Sequence, residues 1–258
     1  MIRAHKHLMA PDAPKLQKAM AQAGYGSRRA CERIIREGKV TVNGERATLG
    51  LRADPLVDVI LVDGEPMRAP DPLVYMMLHK PTGVLTSLAS QGGWPTVIDL
   101  VAVDTRVYPV GRLDLESEGL ILLTNDGELA HALTHPSFEH EKEYRVLLEH
   151  IPGENQLRSW REGVRIVDLG QTAPAKVWVE GLPEPWIGVI IQQGMKRQIR
   201  ETAKTLGLKV ERIIRVRIAS LELGELDSGA WRNLTHREIE ELRLAVNSPA
   251  EVKVIHDN

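Results

Sequence analysis

The chain has 258 residues, 43% of them hydrophobic and 26% charged, with a formal net charge of −2 at pH 7. That length can bury one large core, or one medium and one small, and the charge balance is that of an ordinary soluble protein. A single cysteine, Cys31, excludes an internal disulfide and cannot alone form a thiolate metal site; no apolar run approaches the roughly 20 residues that cross a bilayer, so a cytoplasmic protein without a membrane partner is expected.

The overall charge hides an uneven distribution. Residues 1–52 carry 11 Lys or Arg against four acids, a local balance of +7 that leaves −9 for the remainder. Inside that acidic remainder, residues 194–217 hold eight Lys or Arg against Glu201 and Glu211 only. Two positive stretches in a near-neutral chain point to a nucleic acid gripped at two places.

Residues 1–14, with His5, Lys6, His7 and two prolines, read as a flexible leader and not a signal peptide. From Lys15, the apolar residues Leu16, Ala19, Met20 and Ala23 follow helical spacing until Gly24 and Gly26. Ser27 is placed to cap a second helix, Arg28 to Arg36, with Ala30, Ile34 and Ile35 expected inside and Arg28, Arg29, Arg33 and Arg36 outside. Lys39 to Val42 reads as a strand before the hairpin signal Asn43-Gly44, and Val59 to Val62 as another before Asp63-Gly64. On charge alone this is a helical cap with a solvated face. The order Lys15-Leu16, Gly24, Ser27-Arg28-Arg29, Ile34-Ile35, Gly38 and Val42-Asn43-Gly44, however, resembles the RNA-binding module named after a small-subunit ribosomal protein. The resemblance covers residues 15–70 and implies that Lys15, Ser27, Arg28, Arg29 and Lys39 lie on RNA backbone.

Two prolines between Ala69 and Pro72 mark a linker, and a second domain is expected over residues 73–245, with 246–258 as a tail. Leu73 to Leu78 is a buried-strand run ending at His79-Lys80-Pro81. Val107 to Val110 and Leu120 to Thr124 follow as strands, Glu128 to Leu133 as a helix closed by His135-Pro136, and Lys142 to Leu148 as an alternating strand. Val177 to Glu180 and Ile187 to Gln192 add two more, before an amphipathic helix from Gln198 to Leu206. Many strands and few short helices define an α+β domain on a mixed, mostly antiparallel sheet. No glycine-rich nucleotide loop is present.

The most informative stretch is Gly111-Arg112-Leu113-Asp114, which precedes the apolar run Gly119 to Leu123 and its closing turn Thr124-Asn125-Asp126-Gly127. Taken alone, Asp114 is a turn cap, and Glu116 and Glu118 are solvent-facing acids. Together with His79-Lys80-Pro81-Thr82-Gly83-Val84 and Trp94-Pro95-Thr96-Val97-Ile98-Asp99-Leu100 upstream, the stretch resembles the pseudouridine synthases of ribosomal RNA across nearly all of residues 73–240. That resemblance implies Asp114 as the catalytic carboxylate, Tyr144 stacked on the target base, and Arg200 of Gly194-Met195-Lys196-Arg197-Gln198-Ile199-Arg200 paired with Asp114. It further implies no cofactor and no metal, and a substrate of ribosomal RNA or an assembling ribosomal subunit. Arg112 is placed near the extruded nucleotide, with a structural salt bridge as the other reading. Lys196 and Arg197, at a strand-to-helix turn, are expected to face phosphate. Glu201-Thr202 departs from the second basic residue and Met common in relatives, which bears on local RNA contacts. The Lys15-Leu16-Gln17-Lys18 start and Gly26-Ser27-Arg28-Arg29 helix entry look most like the large-subunit enzymes, and a monomer is expected. Two alternatives stand beside this reading: a non-catalytic RNA-binding or ribosome-assembly factor on the same fold, and a metal hydrolase using His131, His135 and Glu128.

Overall fold

The computed structural model describes residues 13–181 and 183–247, and its contacts divide the chain into two compact units between Leu73 and Val74. In the first unit, Leu16, Ala19 and Met20 form the buried face of α1 (Leu16–Gln22). Ser27 accepts the backbone N–H of Ala30 at 3.1 Å and so caps α2 (Arg28–Arg36), with the expected bounds. Its fully buried residues are Cys31 and Ile35, whereas Ala30 and Ile34 are only half-buried. The inward stripe is therefore centred on the 31/35 pair, one turn apart, and 30 and 34 flank it.

Asn43-Gly44 turns β1 (Val40–Val42) into β2 (Glu45–Arg46), and Asp63-Gly64 turns β3 (Ile60–Val62) into β4 (Glu65–Pro66), all four turn residues having positive φ as tight hairpins require. The sheet order is β2-β1-β3-β4. Ala13 belongs to this unit: it is buried, and its carbonyl accepts Arg52 Nη1 at 2.6 Å. The Pro14 carbonyl likewise accepts the N–H of Ala53 at 3.1 Å, so residues 13 and 14 of the leader expected over 1–14 are held in this unit, and the rest of it lies outside the described residues.

The second unit runs through β5 (Tyr75–Lys80), β6 (Tyr108–Val110), β7 (Glu118–Thr124), α3 (Gly127–Thr134), β8 (Lys142–Leu148), α4 (Glu154–Glu162), β9 (Arg165–Ile166), β10 (Gly170–Gln171), β11 (Lys176–Gly181), β12 (Trp186–Ile191), α5 (Gln198–Thr205), β13 (Val210–Ile218), β14 (Leu221–Glu222), β15 (Trp231–Asn233) and α6 (His236–Asn247). The large sheet has the order β11-β12-β8-β13-β7-β5-β15, with β6 on β7 and β14 on β13. Among the described strands of this sheet only β13 and β7 pair in parallel, through Ile214 with Glu118 and Arg215 with Gly119. The sheet is mixed and mostly antiparallel, as expected.

Both faces are covered, which is why β7 is buried at all seven positions and reads as a continuous apolar run instead of alternating. Ile121 and Leu123 join Tyr144, Val146, Ile213 and residues of α4 and α5 on one side. Leu120 and Leu122 join Leu129, Leu133 and Leu242 on the other. Sequence reading gave no element to α4, β13 or α6. In α4 only Leu157 and Trp160 are buried, and β13 carries Arg212, Arg215 and Arg217, so neither shows a clean apolar period. The helix α6 continues to Asn247, past the expected start of the tail at 246; residues 248–258 lie outside the described residues.

The parallel seam has no room for a side chain at Gly119. Its φ is +110°, and a Cβ there would collide with the backbone nitrogen and carbonyl of Arg215. Gly119→Ala should destabilise the protein by about 3 kcal/mol through clash and left-handed strain, read as a lowered denaturation midpoint.

Candidate active site

The segment from Gly111 to Ser117, immediately before β7, forms one wall of a cleft of about 760 Å³. Its backbone is tied down on every side. Leu113 exchanges two hydrogen bonds with Thr86 Oγ1, the N–H of Gly83 donates to the Leu115 carbonyl at 2.9 Å, and the N–H of Ser117 donates to the Asp114 carbonyl at 3.0 Å. Beneath it lies Lys80, which has no exposed surface and donates to the carbonyls of Pro81 (2.8 Å), Leu115 (3.4 Å) and Ser117 (2.8 Å). Burial pushes the Lys80 ammonium down to about 8, against the opposing pull of Glu118 and Asp114. The Asp114 side chain is 38% exposed and faces the cleft from this fixed backbone.

The opposite wall comes from the turn between β12 and α5. Arg197 adopts a left-handed conformation (φ 55°) at the N-cap of α5. Its Nη1 lies 3.9 Å from Asp114 Oδ2 and its Nη2 3.2 Å from Glu116 Oε2. Arg200, expected to pair with Asp114, instead has Nε 3.7 Å from Glu116 Oε2 and donates Nη2 to the Glu116 carbonyl at 3.3 Å. Burial lowers the Arg200 pKa, and the charges of Glu116 and Asp114 counter it. Glu116 is thus exposed but fixed by two guanidiniums. Glu118 is buried and held by Arg212 Nε and Nη2, both at 3.0 Å. Both acids were read as unattached and solvent-facing; Glu116 does face solvent but both are attached and Glu118 is buried, with partners from the start of α5 and from β13, about 80 to 100 residues on in the chain.

Tyr144 on β8 is 8% exposed and belongs both to the core and to the cleft lining. Arg112, Lys196, Arg197 and Arg200 line the same cleft, so the fold brings together Asp114, Tyr144, Arg200 and the second-unit cations expected on RNA, whereas Glu116, Glu118, Glu128 and His131 are not part of its lining. Two residues there were missed. Lys80 had a local signal, a charge closing an otherwise apolar strand. Arg215, 2% exposed, had none, since β13 alternates three arginines and only the register tells which is buried.

In the first unit Lys15, Arg28, Arg29 and Lys39 are exposed. Lys39 is bound to Glu37 at 2.8 Å, and that contact raises its pKa; the Ser27 hydroxyl accepts from the α2 backbone. For the metal reading, His131 and His135 stand edge to face at 4.9 Å, but α3 ends at Thr134 and His135 leaves the helix in extended conformation. Among the described residues no group of three His, Cys, Asp or Glu side chains is placed to hold a metal ion. No helix among them is long and apolar enough to cross a membrane.

Comparison with known proteins agrees with this arrangement. The family model for RNA pseudouridylate synthase matches residues 74–205, and that for the S4 domain matches residues 15–55. The chain is 40% identical over 235 residues to ribosomal large subunit pseudouridine synthase B of Bacillus subtilis, covering 89% of this chain and 95% of that protein. It is 38% identical over 251 residues to the dual-specificity RNA pseudouridine synthase RluF of Escherichia coli K12, covering 95% and 84%. A crystal structure of a pseudouridylate synthase superposes with a TM-score of 0.64 at 31% identity, covering 89% of this chain and all of that one. The chain, with a cleft built around one fixed carboxylate and two arginines, belongs to the RNA pseudouridine synthase family and carries an S4 RNA-binding domain.

Proposed function

We propose that this enzyme isomerises a single uridine of large-subunit ribosomal RNA to pseudouridine, as a monomer in the cytoplasm, with Asp114 as the catalytic residue and without cofactor or metal. The observation that carries the reading is the Asp114 carboxylate, held on a rigid backbone and open to a cleft whose size falls within the roughly 300–1,000 Å³ of small-ligand pockets. The large-subunit target is supported by the name of the Bacillus subtilis relative, ribosomal large subunit pseudouridine synthase B.

The reaction breaks the bond from ribose C1′ to uracil N1, turns the base, and joins C5 to the same sugar carbon. Asp114 acts at the sugar, as nucleophile on C1′ or as base, and Arg197 and Arg200 keep it ionised and aimed. Tyr144 holds the base, whose removal from its stack costs a few kcal/mol that stacking and edge contacts offset. Arg112, Lys196 and Arg197 at the cleft, with Lys15, Ser27, Arg28, Arg29 and Lys39 in the S4 domain, carry RNA backbone and read little sequence.

Incubating the protein with unmodified ribosomal RNA transcripts, without cofactor or added metal, and mapping by carbodiimide labelling and primer extension should give one new stop. Absence of a stop on both free RNA and assembly intermediates would replace this reading with a non-catalytic assembly factor on the same fold. Asp114→Asn should abolish isomerisation while RNA affinity stays within about 2-fold, because the grip is spread over many cations. Replacing Arg28 and Arg29 together by Ala should weaken RNA binding and reduce the slope of log K against log salt by about 1.5.

Lys80→Met should lower kcat at least about 10-fold with KM little changed, since it frees the backbone just after Asp114 without touching RNA. The folded-state value of about 8 lies below the ordinary 10.5, so the unfolded chain binds the extra proton between them. Stability of the wild type relative to Lys80→Met should therefore rise as pH goes from about 8 to about 10.5, measured by denaturant titration across that range.

A further inference from the structure

Three buried nitrogens in the cleft lining have no hydrogen-bond partner among the described residues: Arg200 Nε, His140 Nε2 and Arg215 Nη2. Arg200 Nε at least has the Glu116 carboxylate at 3.7 Å. Arg215 is the most costly case, since its guanidinium is almost wholly buried. Its Nε donates to the Leu120 carbonyl at 2.9 Å, its Nη1 reaches the Arg112 carbonyl at 3.5 Å, and its Nη2 donates to nothing. An unmet buried donor costs about 1–3 kcal/mol, more when charged.

The acids around it are already taken. Glu118 is held by Arg212, Glu143 and Glu141 by Arg217, and Glu116 by Arg197 and Arg200. A second cation faces the same space: Lys142 Nζ donates to the carbonyls of His140 (3.0 Å) and Gln192 (3.3 Å), and burial and then the charge of Arg215 lower its pKa. The cleft floor therefore carries a buried Arg215 and a half-buried Lys142, neither ion-paired with a carboxylate among the described residues.

Position says which part of the substrate would supply it. In the sheet Arg215 lies directly opposite Tyr144, and Lys142 is two residues from Tyr144 on the same face of β8. A base stacked on Tyr144 presents its edge to these two groups, whereas the exposed Arg112 and the turn cations Lys196 and Arg197 are where phosphates would lie.

We propose that Arg215, with Lys142, is a catalytic anion subsite that receives the uracil as it leaves the ribose. This rests on the isomerase reading of the cleft. When the C1′–N1 bond breaks, the bonding pair stays on N1 and the uracil carries one negative charge, delocalised onto O2 and O4. The sugar is balanced by Asp114, through an ester bond to C1′ or by removal of the C2′ proton. When C5 then bonds to C1′, the ester bond breaks and its pair returns to the Asp114 carboxylate, or Asp114 returns the proton to C2′; the ring is then neutral, and loss of the C5 proton with gain of one at N1 completes the isomerisation. The free Arg215 N–H binds a carbonyl oxygen whose charge grows only as the bond breaks, so the interaction is stronger in the transition state than in the bound uridine.

The test is single-turnover cleavage of the C1′–N1 bond in an RNA substrate carrying either uridine or 5-fluorouridine at the target position, read as loss of the N-linked nucleoside because C5–F has no proton to lose in the final step. Fluorine acidifies the ring and makes its anion a better leaving group, so it reduces the need for the subsite. Arg215→Gln and Lys142→Gln should each slow uridine conversion about 100-fold, recover at least about 10-fold with 5-fluorouridine, and leave RNA affinity within about 2-fold. Equal deficits with both bases, or a loss of RNA affinity with the conversion rate intact, would overturn the subsite. Because Arg215 also binds the Leu120 carbonyl, Lys142→Gln, which leaves that bond alone, decides the matter if the Arg215 variant does not fold. Asp114→Asn should convert neither base; an inert wild type would overturn the isomerase reading itself, separately from the subsite.

Discussion

The buried ammonium of Lys80 is the contact on which the cleft depends. A charge with no exposed surface is tolerated only when its donors are met and opposite charge lies near. Here three carbonyls take its protons and Glu118 and Asp114 supply the field. Two of those carbonyls, Leu115 and Ser117, follow Asp114 directly in the same segment, so satisfying the lysine and fixing the carboxylate are one arrangement. The same segment continues into β7, whose parallel pairing with β13 at Gly119 places Arg215 beside it.

From that seam the electrostatics of the cleft follow. β13 delivers Arg212 to Glu118, Arg217 to Glu141 and Glu143, and leaves Arg215 without an acid. The turn into α5 adds Arg197 and Arg200, which share Glu116. Acids and bases are nearly matched over the whole chain, yet within the cleft the pairing is incomplete on the positive side. A neutral protein can hold a polyanion in this way, because local excess and not net charge sets the potential that the ligand meets.

How much of this was legible in sequence depended on how local the cause was. The bounds of α2 were readable because Ser27 and Gly38 are chain neighbours of the helix they delimit, and β8 because its alternation is intact. Asp114 stood out through the family motif it belongs to, since its neighbours alone read as an aspartate capping a turn. Glu116 and Glu118 were misread because their partners are fixed by folding and not by spacing. The same holds for Arg197, which turned out nearer to Asp114 than Arg200: its left-handed backbone at the helix entry swings its side chain toward the carboxylate. Arg215 was invisible for a related reason, since burial of one arginine among three is a property of strand register, which no local pattern encodes.

These placements also explain why grip and chemistry can be assigned to different cations. An exposed arginine or lysine on a phosphate contributes equally to bound substrate and transition state, so it lowers the free energy of both and leaves the barrier unchanged. Its value lies in holding RNA and in bringing it there quickly. A buried cation is different, because the low dielectric that makes it costly when unpartnered makes it effective when charge appears. In the proposed reaction, the buried Arg215 and the half-buried Lys142 become favourable only as the glycosidic bond yields, while Asp114 would change charge or bonding at the same moment on the other side of that bond. A fold that keeps its desolvated charges at the floor and its solvated ones near the mouth thus separates affinity from rate, and the separation is set by depth in one cleft and not by residue type.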